Sequence, residues 1–159
     1  MSRKKTKRRL KKYRSRRRSL GQSLKKRFAK RFPDSEVISG PTSDGVKMSE
    51  VLERFVDPYE QYAETEEAYR KLLTTALVAW NVMLYPEKHR SYRLDELLTT
   101  LPENVREEGR QVIQELMVRK ERFFSQYKRM IVDYEVADIG SKKHLSVMSM
   151  ASPARDEND

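Results

Sequence analysis

The chain contains no cysteine. That excludes a disulfide framework, a thiol nucleophile and any Cys-ligated zinc or iron–sulfur site. It fits a reducing compartment without requiring one. Histidine is nearly as scarce. His89 and His144 are the only two, and neither has a second ligand at a metal-binding spacing on a helix. Both read as solvated surface histidines. The glycines, Gly21, Gly40, Gly45, Gly109 and Gly140, are scattered, so neither G-x-G-x-x-G nor G-x-x-x-x-G-K-[ST] is available to cradle a phosphate. A G-x-S-x-G nucleophile elbow is absent too. No apolar run approaches the ~20 residues of a membrane span; the longest, Ala76–Tyr85, is interrupted by Asn81. The first residues lack the apolar core of a secretory signal. Their Arg- and Ser-rich composition loosely fits an organellar transit peptide, but dense lysine and few apolar positions argue against one.

Negative charge is missing from one end. Residues 1–31 hold 17 Lys/Arg and no Asp or Glu, whereas residues 32–159 hold 17 basic and 24 acidic residues, a net −7. The formal +10 of the 159-residue chain thus joins a polycationic arm to a mildly acidic body. At 37% hydrophobic and 36% charged residues the chain is polar for a compact globule. Its length suits one domain with tails.

Composition divides the chain into four stretches. The basic arm covers 1–32. Its front half has only Leu10 and Tyr13 as sizeable apolar groups, and packed like charges cannot bury a core, so disorder is expected there. Its back half repeats Leu20, Leu24, Phe28 and Phe32 every four residues, which is a short basic amphipathic helix, marginal alone. A linker follows over 33–46, with turn formers along Ser39–Gly45. The body spans 47–151 and a polar tail, expected to be disordered, spans 152–159.

In the body, Ser49 is placed to cap a first helix carrying Val51, Leu52, Phe55 and Val56, which Asp57-Pro58 ends or kinks. Thr65, with Glu66 and Glu67 in the first turn, opens a second helix. Its apolar positions, Trp80 among them, run nearly all round, which places it at the centre of the fold. Asn81 suits an interhelical hydrogen bond. A short helix is expected at Leu94–Leu98, and Pro102 opens a long one with Glu115 and Arg119 paired on its wet side. Beyond Tyr127 the period falls to two. Val132, Tyr134 and Val136 form one face of a strand, Asp133 and Glu135 its solvent face, and Leu145–Met150 a second strand. Such a hairpin is marginal unless it packs on helices or pairs with another strand, for which Val37-Ile38 is a weak candidate. The expected fold class is α+β, mostly α: three to four helices with a C-terminal β-hairpin, preceded by a disordered basic arm.

Carboxylates at 57–67 (Asp57, Glu60, Glu64, Glu66, Glu67) and at Glu103, Glu107 and Glu108 could form acid pairs, yet both groups fall at helix starts where the dipole favours them. No cofactor or metal is called for, and an enzyme is not expected, because no convergent set of catalytic groups is visible. The arm carries the functional signal. Lys4, Lys5, Lys7, Arg8, Arg9, Lys11, Lys12, Arg14, Arg16, Arg17 and Arg18 place eleven cations within fifteen residues, a run suited to neutralising phosphates and releasing their counterions. Tyr13 could stack on an unpaired base, and Lys25, Lys26 and Arg27 extend the cationic run. No base-reading motif accompanies them, so RNA is favoured over DNA. The expectation is a non-enzymatic nucleic-acid-binding accessory protein, RNA- or ribosome-associated. It would be cytoplasmic, or nuclear or nucleolar in a eukaryote. The alternative is a protein-interaction module with a protein partner on its acidic body, its arm serving only to localise it to nucleic acid or an anionic membrane surface.

Overall fold

The computed structural model describes residues 22–38, 40–139 and 142–152. Helix α1 occupies 22–31. It is followed by α2 (Met48–Val56), a 3-10 turn (Asp57–Tyr62), α3 (Glu66–Val82), α4 (Glu87–Leu98), a second 3-10 turn (Glu103–Val105), α5 (Arg106–Phe124), β1 (Met130–Ile139) and β2 (Lys142–Met150). The protein is mostly helical and closes on a two-stranded antiparallel hairpin. Among the described residues there are five α-helices rather than three to four, because the amphipathic stretch of the arm is itself one of them. No helix among the described residues is long and apolar enough to cross a membrane.

Each helix follows from local chemistry. The Thr65 hydroxyl accepts from the Ala68 N–H at 3.1 Å, satisfying one of the donors a helix start leaves open. Helix α2 begins one residue before Ser49, with Lys47 in the cap position and no side-chain cap, so the expected Ser49 cap is not made. Pro58 holds the following turn in 3-10 form. Helix α4 is longer than Leu94–Leu98. Its first turns have no apolar face to betray them and are tied instead by Arg90 Nε, which donates to Tyr85 O at 3.1 Å. The Arg93 guanidinium adds its position 4.9 Å from the Tyr85 ring centroid.

Trp80 is fully buried at the centre. Its ring meets Phe55 edge-on with centroids 5.3 Å apart, and its Nε1–H donates to Arg129 O at 2.8 Å. Leu73, Ile113 and Leu116 complete this core. Arg119 does not pair with Glu115; it donates to the carbonyls of Phe55 and Arg54, both at 2.9 Å, closing the end of α2. Asn81 binds a strand rather than a helix, donating to Ile131 O at 2.7 Å and accepting from Ile131 N–H at 3.0 Å.

The hairpin register is broken between Ile131 and Asp133. One extra residue, Val132, sits in β1 opposite no partner, and such a bulge reverses the facing of everything beyond it. Ile131, Tyr134 and Val136 therefore share the helical core with Leu145 and Val147. Val132 joins the opposite face, where Leu24, Phe28 and Met148 are buried together with Phe32, Val37 and Met150 packed around them. The expected grouping of Val132 with Tyr134 and Val136 is thus corrected. So is the expectation of a solvent face at Asp133 and Glu135, which lies beneath α1. The hairpin is a middle layer between α1 and the helical body.

Candidate nucleic-acid interface

Lys4, Lys5, Lys7, Arg8, Arg9, Lys11, Lys12, Tyr13, Arg14, Arg16, Arg17 and Arg18 lie outside the described residues, as do 153–159 of the tail. The structure does place the cations of α1. Spacing of four puts Leu24 and Phe28 on one face, and the hairpin buries both. Arg27 borders that face. Its Nε donates to Asp133 Oδ2 at 2.8 Å, its Nη1 to Glu135 Oε1 at 2.9 Å and its Nη2 to Tyr134 O at 3.2 Å. The hydrogen bond to Asp133, with the carboxylates' charge behind it, raises the Arg27 pKa further. Sequence alone assigned Arg27 to phosphate; here its planar fork is engaged within the fold, a geometry that lysine could not supply.

Lys25, Lys26, Lys30 and Arg31 are exposed. Lys26 and Lys30 stand one helical turn apart on the same side, and the Arg31 guanidinium lies 5.3 Å from the Phe32 ring centroid. No carboxylate occurs on α1 itself. The result is a short row of cations held at a fixed angle to the hairpin by the two buried apolar groups and the Arg27 fork.

A second concavity, of about 780 Å³, opens between α2, the 3-10 turn and α3, lined by Glu53, Asp57, Glu60, Tyr69, Arg119 and Lys143 among others. Burial pushes the Glu53 carboxyl up, and Glu60 and Glu50 push it further. Burial also raises the Tyr69 hydroxyl, reinforced by the negative charge of Glu60 and Glu53. Two of the three cations here are engaged: Arg119 caps α2, and Lys143 Nζ sits 4.3 Å from the Tyr69 ring centroid. The sequence marks Tyr69 only as an apolar position of its helix and Arg119 only as a partner for Glu115, and it does not single out Glu53, since helical spacing separates only core from surface. Of the helix-start carboxylates, Glu66 pairs with Arg70 and Glu67 with Lys71. His89 is exposed and His144 half-buried. Among the described residues, no group of three or more His, Asp or Glu is arranged to hold a metal ion.

Among the described residues the most buried cation is Lys120. Its Nζ donates to Phe124 O at 2.7 Å and Tyr127 O at 2.8 Å, and lies 4.0 Å from the Trp80 ring centroid. Burial, with a contribution from Lys128, pushes its pKa down to about 8. Bonded to the last carbonyl of α5 and to that of Tyr127 just beyond it, Lys120 ties down the chain where the helix ends. No family model matches the chain, no curated protein matches it and no solved structure matches it.

Proposed function

We propose that this protein is a non-enzymatic nucleic-acid-binding accessory protein, with RNA favoured over DNA and ribosome association its expected setting. The observation that supports this reading most directly is the division of labour along α1. Arg27 anchors the helix to Asp133 and Glu135, while Lys25, Lys26, Lys30 and Arg31 are left in solvent. Those four cations continue the run of eleven between Lys4 and Arg18. A docked helix loses less side-chain and backbone freedom on meeting phosphates than a free polybasic segment does, so each contact retains more of its binding free energy. Phosphate neutralisation and counterion release supply affinity without sequence reading. The acidic body, net −5 over residues 48–159, is repelled by the same polyanion and keeps the complex oriented.

The test is binding of mixed-sequence RNA to the full chain at 50 and 200 mM salt. With roughly 6–10 phosphates contacted, affinity should fall by about 10³ or more across that range. Replacing Arg16, Arg17 and Arg18 with Gln should weaken binding to unrelated sequences about equally. A flat salt response would remove the phosphate contacts from the reading.

A further inference from the structure

The hairpin has two outer edges, and the fold treats them differently. In an antiparallel pair, residues that oppose each other without exchanging hydrogen bonds turn both N–H and C=O outward. Ile131 and Ser149, Tyr134 and Val147, and Val136 and Leu145 are opposed in this register. Their outward orientation is visible in the partners they meet. On β1, Asn81 bonds both backbone groups of Ile131, Arg27 donates to Tyr134 O, and Arg70 donates to Val136 O at 3.0 Å. That edge is covered by side chains. Of the three opposed residues on β2, Ser149 alone is met by a described residue, its carbonyl accepting from Ile38 N–H at 3.0 Å. The outward N–H and C=O of Val147 and Leu145 have no partner among the described residues.

These groups open into a groove of about 370 Å³ between α1 and the start of α2. Leu24 and Val37 line it on one side and Met48 on the other, with Lys25 and Lys47 at its borders and no carboxylate among its lining residues. Met48 and Ser49, the first residues of α2, line it too, which brings the positive end of that helix to the same space.

We propose that the outer edge of β2 is a strand-addition site for an extended acidic segment of a partner protein. The segment continues along Val147 and Leu145 the pairing that Ile38 begins at Ser149. Main-chain bonds to the open edge give such a segment affinity, and pockets for alternate side chains give it selectivity. Apolar side chains of the segment meet Leu24, Val37 and Met48, while its carboxylates meet Lys25 and Lys47. The edge offers alternating amide donors and acceptors at the spacing of a β-strand, which a polypeptide matches and a nucleic-acid backbone does not. Charge selects an acidic polypeptide over a basic one, including this chain's own cationic arm. The site shares Lys25 with the phosphate-binding row, whereas Lys47 belongs to no part of that row, so substitution of Lys47 separates the two readings.

The test uses the full chain and a fluorescein-labelled nine-residue peptide alternating valine and glutamate, followed by anisotropy and by amide exchange at Leu145 and Val147. The expected result is saturable binding that slows exchange of those two amides at least tenfold. The same peptide with lysine in place of glutamate should bind at least tenfold more weakly. Lys47→Glu should weaken binding of the acidic peptide at least tenfold and leave RNA affinity unchanged. Val147→Pro removes an outward N–H that the hairpin itself does not use, a substitution edge strands tolerate, and should abolish binding. If circular dichroism shows that variant unfolded, the Lys47→Glu and charge-swapped peptide results decide. Equal binding of both peptides, or binding without slowed exchange, overturns the proposal. Two further outcomes also overturn it: edge amides already protected and released by truncation after residue 152, which makes the tail the occupant, and protection that rises with protein concentration, which makes it a second copy.

Discussion

Asn81 on α3 serves Ile131 as a neighbouring strand would, giving to its carbonyl and taking from its amide through one side chain. Ile131 is fully buried, so water does not readily replace either bond. Asn81→Ala should destabilise the protein by about 2–4 kcal/mol, the cost of leaving two buried backbone groups unsatisfied. Asn81→Asp should fare no better, because its carboxylate cannot donate to the Ile131 carbonyl. The shift of the urea midpoint checks this. A loss under about 1 kcal/mol would mean that the strand end finds other partners.

Phe28 should act locally. It is buried against the hairpin in a cluster separate from the one around Trp80. Phe28→Ala leaves a cavity under α1, yet the helix can detach before the body unfolds, so the damage is capped at the docking free energy. The expected outcome is faster tryptic cleavage at Lys25, Lys26 and Lys30 with unchanged Trp80 fluorescence. Arg27→Gln, which removes the fork on Asp133 and Glu135, should show the same pattern. Simultaneous loss of the Trp80 signal would mean that α1 and the body form one cooperative unit.

Lys120 should make stability depend on alkaline pH. Its folded pKa of about 8 lies below the ordinary 10.5, so the unfolded chain binds more protons between those values. Stability therefore rises with pH across that window, and the penalty is present in full below pH 8. The rise from pH 8 to 10 should be on the order of 2 kcal/mol. Above pH 10 the raised tyrosine pKa values act in the opposite direction, so the measurement belongs below that point. Urea midpoints at several pH values check it, and Lys120→Met should flatten the slope. An equal slope in that variant would assign the effect to other groups.

The features legible in the sequence are those whose signal is local. The start of the second helix at Thr65, Trp80 as the central anchor and the change to a period of two after Tyr127 each follow from a few neighbouring residues. What escaped the sequence depends on distant partners. Nothing near Arg27 says that it will meet Asp133, 106 positions away. Nothing near Arg119 marks the carbonyls of Arg54 and Phe55, nor does Asn81 advertise a strand. Helix α4 extends well before Leu94, and its first half carries almost no apolar residues to mark it. The most instructive miss is Val132. Strict alternation assigned it to the core face, and one unpaired residue moved it to the other side with Asp133 and Glu135. A period of two has no tolerance for an odd insertion. The cationic row was legible as composition, but which of its members would face inward was decided by the hairpin.

The docking of α1 on the hairpin also sets a timetable. Arg27 and Asp133 are separated by 106 positions, and Leu24 and Phe28 wait for Met148. At roughly 5–20 residues per second, synthesis of that interval takes on the order of 5–20 s. Throughout it the growing polypeptide displays a helix-forming segment with an uncovered apolar stripe and a full set of lysines. Only when the last strand emerges can that stripe be covered and Arg27 reach its two carboxylates.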